Sequence, residues 1–425
     1  MWKKTLFALS VPLFLISCED ALLPDLPDME GTVDVDAWVV DEDSAETGSD
    51  TDLPEPEDAD SEPQGGDIEP SDADGDTELP AEPAEPLDLA IVMIGGYEVP
   101  YSGKVYYAAG ENISDLREIP LETGIGSGTG TDPNLALWRE GFAVIERYYS
   151  DDIYLFSPAA GGYSLAQTVA VSDAMTNLQD AAYDVKRDRL FISALNANSL
   201  FVLENDGLSE LVLTEDPSPN PAKMRIIGDR LYVVLQHLND QWYSTKSELA
   251  VIDLETLEIE LVEVPTKNIV SKIEYNPEFD KSHCYFLATG KWQKRDGALL
   301  RFDLESRKSE IVLTESAEEN NLLDGDFVDL SIADNGDFYI IFSNNRDRWI
   351  NKLLRYVPSE GKVYEIEPGA VNAFAANPID YSRATGKIYY FIDIQADTFL
   401  RSLDTETGET ETVPVENAPA ALKLL

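Results

Sequence analysis

Residues 249–262 read Leu-Ala-Val-Ile-Asp-Leu-Glu-Thr-Leu-Glu-Ile-Glu-Leu-Val, an apolar run followed by a polar turn at Glu255-Thr256 and a second apolar segment at Leu261-Val262. Short apolar runs on either side of turn residues are typical of two antiparallel strands. The stretch therefore predicts a β-hairpin. Whether the chain repeats it decides the fold.

The hairpin recurs from residue 88 onward. Its copies begin at Val105, Ile153, Leu200, Leu249, Leu299, Leu353 and Phe399, which lie 48, 47, 49, 50, 54 and 46 residues apart. A period near 50 residues leaves room for two further strands in each unit, and four strands per unit indicate the blade of a β-propeller. The sequence thus predicts an all-β fold of seven four-stranded antiparallel blades. Two separate β-sandwiches are the alternative, and the even spacing argues against them.

Apolar segments between the hairpins supply the remaining strands. They are 224–227 with 230–234, 269–273 as an inner strand, 327–330 with 338–341, and 371–374 with 388–391. The first unit, near Leu89, lacks a clear inner strand, whereas residues 419–425 form an apolar segment with no hairpin after it. We expect this C-terminal strand to pair with the first blade, closing the ring and covering an exposed edge.

Two turns carry a family resemblance: Val-Ile-Asp-Leu-Glu-Thr at 251–256 and Leu-Asp-Thr-Glu-Thr-Gly at 403–408. With them, residues 88–425 resemble the seven-bladed YVTN and WD40-like bacterial propellers. The Gly-His and Trp-Asp pairs of WD40 blades are absent, as are the Trp motifs of quinoprotein propellers. The resemblance implies the fold and leaves the function open, because such propellers include binding modules, lactonases, hydrolases and quinone enzymes.

The N-terminus has the form of a secretory signal. Lys3 and Lys4 precede an apolar run from Thr5 to Ile16, which is too short to span a bilayer. The run ends in Leu-Ile-Ser-Cys at 15–18, which resembles the lipobox of bacterial lipoproteins. The resemblance implies that residues 1–17 are removed and that Cys18 is acylated; an ordinary signal peptide with an incidental cysteine is the alternative. We expect the lipid on Cys18 to be the protein's only contact with the membrane. We expect the protein to lie in the bacterial cell envelope, at the outer membrane.

Residues 18–87 predict a disordered linker after the lipidated cysteine. They contain 26 acidic residues, no Lys or Arg, and many Pro, Ser and Gly residues, so that no core can form. The chain as a whole has a formal net charge of −50. This charge argues against nucleic acid as a partner, because binding to phosphates depends on Lys and Arg. We expect a monomer.

Few side chains suit catalysis. The chain has two histidines, His237 and His283, and Cys284 follows His283 in a predicted strand, where alternation points the pair to opposite faces. We expect Cys284 to be buried and His237 to be either a surface residue or a satisfied one. Carboxylates that the pattern places at the central channel are Asp180, Asp326 and Asp329, with Lys223, Arg225 and Lys272 from other blades. These carboxylates support an alternative function, a hydrolase or lactonase dependent on a divalent metal ion; otherwise no cofactor is expected.

Three consecutive blades have a long loop between their second and third strands, with a Trp and at least one basic residue in each. Such loops emerge at the face of the channel mouth, so three neighbours predict one aromatic and basic patch. Exposed Trp, Tyr and Arg typify binding hot spots. The residues predicted to bind are Trp242, Tyr243, Lys291, Trp292, Arg295, Arg346, Arg348 and Trp349. The alternative is that each Trp folds onto its own blade. We expect a non-enzymatic module that binds an envelope protein or polysaccharide.

Overall fold

The computed structural model describes most of the chain after residue 87. The described residues are 88–94, 102–122, 133–147, 150–172, 176–205, 207–316, 321–344, 350–373, 375–394, 397–416 and 418–425. The signal peptide and linker predicted for 1–17 and 18–87, with Cys18, therefore lie outside the described residues. Among the described residues, no helix has the length and apolar composition needed to cross a bilayer.

Apart from two short 3-10 turns, Ala109–Glu111 and Ile113–Asp115, the regular structure is strand. The strands are β1 (Leu89–Ile94), β2 (Lys104–Ala108), β3 (Arg117–Ile119), β4 (Asn134–Trp138), β5 (Gly141–Ile145), β6 (Asp152–Ala159), β7 (Gly162–Ala170), β8 (Leu178–Asp184), β9 (Arg189–Ala194), β10 (Ser199–Glu204), β11 (Gly207–Val212), β12 (Pro221–Ile227), β13 (Arg230–Leu235), β14 (Ser247–Asp253), β15 (Ile259–Val264), β16 (His283–Ala288), β17 (Ala298–Asp303), β18 (Ser309–Thr314), β19 (Asp326–Ile332), β20 (Phe338–Asn344), β21 (Ile350–Val357), β22 (Lys362–Glu367), β23 (Ile379–Ser382), β24 (Lys387–Ile394), β25 (Asp397–Asp404), β26 (Thr410–Val415) and β27 (Ala418–Leu424).

These strands form seven antiparallel sheets, the blades of a propeller, and the predicted fold is confirmed. Blade 1 has the order β27-β1-β2-β3, and blades 2, 3 and 4 are β4–β7, β8–β11 and β12–β15. Blade 5 contains β16–β18, blade 6 β19–β22 and blade 7 β23–β26. In every blade except blade 5, the first strand named here is the inner one, since β27, β4, β8 and β12 contact one another in turn, as do β19, β23 and β27. In blade 5, β16 is the second strand.

Strand alternation explains why the sheets pack side by side. In β1, Leu89, Ile91 and Met93 belong to an apolar cluster shared with blade 7, whereas Ala90 and Val92 belong to one shared with blade 2. Because a strand sends successive side chains to opposite faces, an all-apolar strand needs a neighbour on both sides. Seven clusters of described residues each join two consecutive blades in this way.

The C-terminal strand closes the ring, as expected. β27 pairs antiparallel with β1, with Leu422 opposite Ile91 and Ala421 opposite Val92. The amide of Leu425 donates to the carbonyl of Asp88 at 2.8 Å. The two ends of the described chain therefore meet in one blade, and the inner position that β1 leaves open is filled.

A repeated turn joins the third and fourth strands. Asp253 is the last residue of β14, and its carboxylate accepts hydrogen bonds from the amides of Glu255 and Thr256 at 2.9 and 3.0 Å. Asp303 and Asp404 do the same in blades 5 and 7. The recurring Asp of the sequence repeat is thus a turn residue that satisfies backbone donors.

Two inner strands differ from the prediction. Residues 371–374 were expected to be the inner strand of blade 7, but the continuous inner strand is β23 at 379–382. Val371 still forms a bridge to Ile392 of β24, and the amide of Asn372 donates to the carbonyl of Phe391 at 2.9 Å. Residues 375–378 instead follow the inner strand of blade 1, where the amide of Ala376 donates to Ala420 at 2.6 Å and the amide of Leu422 donates to Asn377 at 3.0 Å. The pairing with β24 therefore falls into two parts, which an apolar pattern alone does not show.

The inner segment of blade 5 is irregular. Around the predicted strand 269–273, only Ile269 and Glu274 form bridges, to Ala288 and Tyr285. Between them the hydroxyl of Ser271 accepts from the amide of Leu287 at 2.8 Å. A side chain thus replaces a backbone acceptor, so the segment occupies the inner position without a continuous ladder.

The outermost strands are exposed edges, and acidic side chains line them. They include Glu210, Glu260, Glu263, Glu310, Glu365 and Glu411. Charge on an unpaired edge opposes pairing with another chain. Part of the negative charge of the domain therefore has a structural role.

A buried carboxylate fastens blade 1 to blade 7. Glu111 is 4 % exposed, and it accepts hydrogen bonds from Ser382, from Thr385 at 2.6 Å and from Tyr389 at 2.8 Å. All three hydroxyl donors belong to blade 7. We predict that Glu111→Ala lowers the free energy of unfolding by roughly 1–3 kcal/mol, because it leaves buried donors without their acceptor.

Urea denaturation followed by fluorescence tests this prediction, with Glu118→Ala as the control. Glu118 lies in the same blade, but its side chain is 48 % exposed and pairs with Lys104, which is also exposed. Equal midpoints for the two variants contradict a ring-closing role for Glu111.

Candidate functional site

The predicted binding loops follow the second strand of blades 4, 5 and 6. Residues 236–246 connect β13 to β14, and residues 289–297 connect β16 to β17. In blade 6 the corresponding loop contains Arg346, Arg348 and Trp349, which lie outside the described residues. The site is therefore described from blades 4 and 5.

Hydrogen bonds within the blade 4 loop fix its shape. The side chain of Asn239 accepts from the amides of Gln241 and Tyr243, and its backbone pairs with those of Trp242 and Tyr243. At the base of the loop, His237 is buried, with Nδ1 3.1 Å from Asp216 and Nε2 2.7 Å from Glu248. His237 is thus buried between two carboxylates: Nδ1 is hydrogen-bonded to Asp216, whereas Nε2 lies close to Glu248 without hydrogen-bond geometry.

Buried polar contacts hold the blade 5 loop. Its amides at Lys291 and Gln293 donate to Asp296 and Asp326 at 2.7 and 2.8 Å. Gly290 has φ +68°, and a Cβ there would lie 2.3 Å from the carboxylate of Asp296, so that only glycine fits this turn. The loop is therefore set by its own backbone and by the start of β19.

The two loops meet through Lys291 and Tyr243. The ammonium of Lys291 lies 4.6 Å from the centre of the Tyr243 ring, within the range of a cation–π interaction. Trp242 and Tyr243 are 38 % and 46 % exposed, and Trp292 is half-buried. Neighbouring blades thus bring together four of the predicted binding residues, although binding itself stays a prediction.

Sequence reasoning missed two members of this surface. Lys294 is an exposed residue of the blade 5 loop, and Lys267 is exposed in the connection that precedes blade 5. The carbonyl of Lys267 accepts from the amide of Gly290 at 3.0 Å, which places it beside the loop. The position of Lys267 in the repeat could have identified it, since connections between blades reach the same face as these loops. The aromatic–lysine patch consists of Trp242, Tyr243, Lys267, Lys291, Trp292 and Lys294.

Arg295 was predicted as a binding residue, and the structure corrects its position. Its side chain is 2 % exposed, with Nε 3.1 Å from Asp324 and Nη1 3.9 Å from Asp326. A guanidinium in this position ties the loop to the start of blade 6 and does not reach solvent. Two buried carboxylates attract the guanidinium inward. The sequence alone shows only that a loop residue is basic and does not show these carboxylates beside it.

The channel holds a network of opposite charges. Lys272 lies 3.3 Å from Glu274, 3.8 Å from Asp329 and 3.7 Å from Asp380, and Asp380 also binds Lys423 at 3.0 Å. Burial alone would raise the pKa of Asp380, but Lys423 and Lys272 hold that pKa at about 2. Inner strands from different blades are thus linked by ion pairs at the axis.

Lysines of this network also reach across the channel. The ammonium of Lys223, in blade 4, donates to the carbonyl of Ala376 at 2.7 Å. Lys272, in blade 5, reaches the carbonyl of Ile379 and lies 3.5 Å from the amide oxygen of Asn377. Segment 375–378 therefore lies within reach of blades 4 and 5, and side chains fill the space between.

The predicted metal carboxylates do not share one site. Asp180 accepts from Asn134 and from the amide of Met224. Asp326 and Asp329 are three residues apart in β19, about 10 Å along a strand, whereas one ion binds its oxygen ligands within about 2.6 Å. Among the described residues, no group of three His, Cys, Asp or Glu side chains is arranged to hold a metal ion.

The pair His283–Cys284 divides as alternation predicts. His283 contacts Asp280 at 2.9 Å and Asp303 at 3.3 Å. Cys284 is fully buried in the cluster between blades 4 and 5, and burial raises the pKa of its thiol to about 12. A thiol of this kind stays protonated at neutral pH and is a poor nucleophile.

Glu315, at the base of the blade 5 loop, makes the stability of the protein depend on pH. Its carboxylate accepts from the amides of Gly297 and Phe327 at 2.8 and 2.7 Å. Burial, with help from the neighbouring Asp326 and Asp296 carboxylates, raises its pKa to about 8. Since the folded state holds this proton more tightly than the unfolded chain, the stability it supports is present at low pH and is lost as pH rises toward about 8.

We therefore predict that Glu315→Gln removes part of the fall in stability between about pH 5 and pH 8. Thermal unfolding across this range measures the slope for the wild type, for Glu315→Gln and for the control Glu310→Gln, an exposed position on the adjacent strand β18. Parallel slopes for the wild type and Glu315→Gln contradict the prediction.

Comparisons with known proteins place the fold and leave the activity open. No protein family model matches the sequence, and no curated protein matches it. Among solved structures, a protein from Lactobacillus plantarum superposes with a TM-score of 0.55 and 11 % identity over 80 % of this chain and 99 % of its own. A proposed 6-phosphogluconolactonase from Bacteroides uniformis gives 0.54 and 11 % over 80 % and 99 %.

TolB from Acinetobacter baumannii gives a TM-score of 0.45 and 10 % identity, covering 79 % of this chain and 65 % of TolB. This chain thus spans just under two thirds of the TolB chain. At identities this low, the two superpositions above 0.5 support the propeller fold and no shared activity.

Proposed function

We propose that the chain is a bacterial envelope lipoprotein whose propeller is a non-enzymatic binding module for an envelope protein or polysaccharide. The observation that carries this proposal is the contact between Lys291 and the Tyr243 ring, 4.6 Å apart, which joins exposed loops of two blades into one surface. Tyr and Trp with an adjacent cation are typical of binding hot spots.

The fixed conformation of the two loops supports binding over catalysis. Internal hydrogen bonds fix both loops before any ligand arrives, which lowers the entropy cost of association. Their exposed groups include aromatic rings and ammonium groups, which recognise surfaces, beside the carboxylates of Asp240 and Asp296. The channel carboxylates, in contrast, have lysine or backbone donors as neighbours, and no observation favours the metal-dependent hydrolase.

The attachment point of the linker suits a displayed module. Residue 88 precedes β1, the second strand of its blade, so that the chain joins the propeller at the start of a second strand. The aromatic–lysine patch follows the ends of second strands, which lie at the opposite face. The linker proposed for 18–87 would span up to roughly 200 Å when extended.

The anchor gives the first test of the proposal. We expect the wild type to incorporate labelled palmitate in a bacterial host and to sediment with membranes, because acyl chains on one cysteine hold a protein firmly. Cys18→Ser removes the only acceptor proposed and should leave the protein unlabelled and in the soluble fraction. The control Cys284→Ser should behave as the wild type, and label retained by Cys18→Ser would refute the anchor.

The patch gives the second test. We expect Tyr243→Ala to lose most of the ligands that the wild type captures from envelope extracts, with a decrease in affinity of about tenfold or more, as for a hot-spot residue. Quantitative mass spectrometry and sugar analysis of the captured material measure this loss.

The matched control is Tyr364→Ala. Tyr364 is 40 % exposed against 46 % for Tyr243, but it lies on the outer strand of blade 6. If both variants capture the same material as the wild type, the proposed site is wrong.

A further inference from the structure

The patch carries lysines that the protein does not neutralise. Lys246, nearby in the blade 4 loop, pairs with Glu248 at 3.0 Å. Lys267, Lys291 and Lys294 form no ion pair with any described residue. Backbone hydrogen bonds connect their segments: the amide of Gly290 donates to the carbonyl of Lys267, and the amide of Lys294 donates to the carbonyl of Lys291. Two exposed acidic residues, Asp240 and Asp296, lie in the same loops, so these three lysines give the patch a small local excess of positive charge in a chain of net charge −50.

Screening allows the patch to act independently of the acidic surface. At physiological ionic strength, the Debye length is about 8 Å, so exposed carboxylates farther away repel an anion weakly. An anionic group in contact with Lys267 and Lys291 still experiences most of its attraction to them. The patch therefore favours an anionic ligand despite the charge of the whole chain.

Five amides of the two loops already have acceptors within the protein. The amides of Trp242, Tyr243, Lys291, Gln293 and Lys294 all donate within the protein. A bound extended peptide gains much of its affinity from backbone hydrogen bonds to a free strand edge. Recognition at this patch must instead use side chains, namely ring faces and ammonium groups.

Ring faces suit a sugar. The π face of Tyr243 or Trp242 carries partial negative charge, which attracts the partially positive C–H groups on the flat side of a pyranose. The Tyr243 ring already attracts one cation, Lys291, at 4.6 Å. A saccharide that stacks on an exposed ring at this position has ammonium groups within reach of its acidic substituents.

We propose that the ligand of the aromatic–lysine patch is an acidic polysaccharide, whose rings stack on Tyr243 and Trp242 and whose anionic groups pair with Lys267, Lys291 and Lys294. This inference rests on the proposed binding function and narrows its ligand. The charge complementarity comes from three unpaired lysines, and the preference for sugar over peptide comes from the occupied loop amides.

Biolayer interferometry with the full-length protein in non-ionic detergent, at physiological salt, tests this inference. The immobilised probes are polygalacturonate as acidic glycan, dextran as neutral glycan and poly-glutamate as acidic peptide. We expect binding to polygalacturonate only. The double variant Lys267→Gln/Lys291→Gln should weaken it about tenfold, as expected for the loss of two charge contacts.

Matched variants separate stacking from charge. Tyr243→Ala should weaken binding by a similar factor, and Tyr243→Phe, which keeps the ring face, should retain it. Lys281→Gln should have no effect, because Lys281 is an exposed lysine of blade 5 in the connection between its first and second strands, at the opposite face.

Three outcomes overturn the inference. Dextran bound as tightly as polygalacturonate removes the role of charge. Poly-glutamate bound as tightly, with no effect of Tyr243→Ala, indicates an acidic polypeptide partner. Binding to none of the probes also refutes the acidic polysaccharide. If capture from envelope extracts still depends on Tyr243 in that case, the binding module stands and only its ligand class is wrong.

Discussion

Burial of both faces of every sheet is the constraint on which this structure depends. A four-stranded blade with apolar side chains on each face must have a neighbour on each side, so the blades have to form a closed ring. β27 completes blade 1 beside β1, and the same strands supply apolar residues to the clusters with blade 7 and blade 2. Glu111 and the lysines of the channel then add polar contacts between blades that packing has already brought together.

Sequence patterns predicted what depends on local chemistry. The seven hairpins, the turn residue Asp253 and the closing strand were found because alternation and turn preference act within a few residues. The inner strand of blade 7 was misplaced because its pairing with β24 is interrupted: residues 370–372 hydrogen-bond to one end of β24, and the continuous strand β23 begins only at Ile379. A local apolar pattern does not show where such an interruption falls.

The site was predicted less completely, and for a physical reason. Trp242, Tyr243 and Lys291 share a surface because loops at equivalent positions of adjacent blades must be neighbours. Whether a long basic side chain then points outward depends on distant carboxylates. Asp324 and Asp326 draw Arg295 inward, whereas the carbonyl of Lys267, which accepts from Gly290, brings that residue to the patch from a connection of ordinary composition.

The meeting of β1 and β27 also determines how the domain responds to tension. β1 begins at one face of the propeller. A force applied at residue 88 and directed away from this face acts along the axis of β1. Hydrogen bonds to β27 on one side and to β2 on the other lie across this axis, from Leu89 to Met93. These hydrogen bonds are loaded in shear and must break together. They therefore resist the extraction of β1 far better than hydrogen bonds that open one at a time.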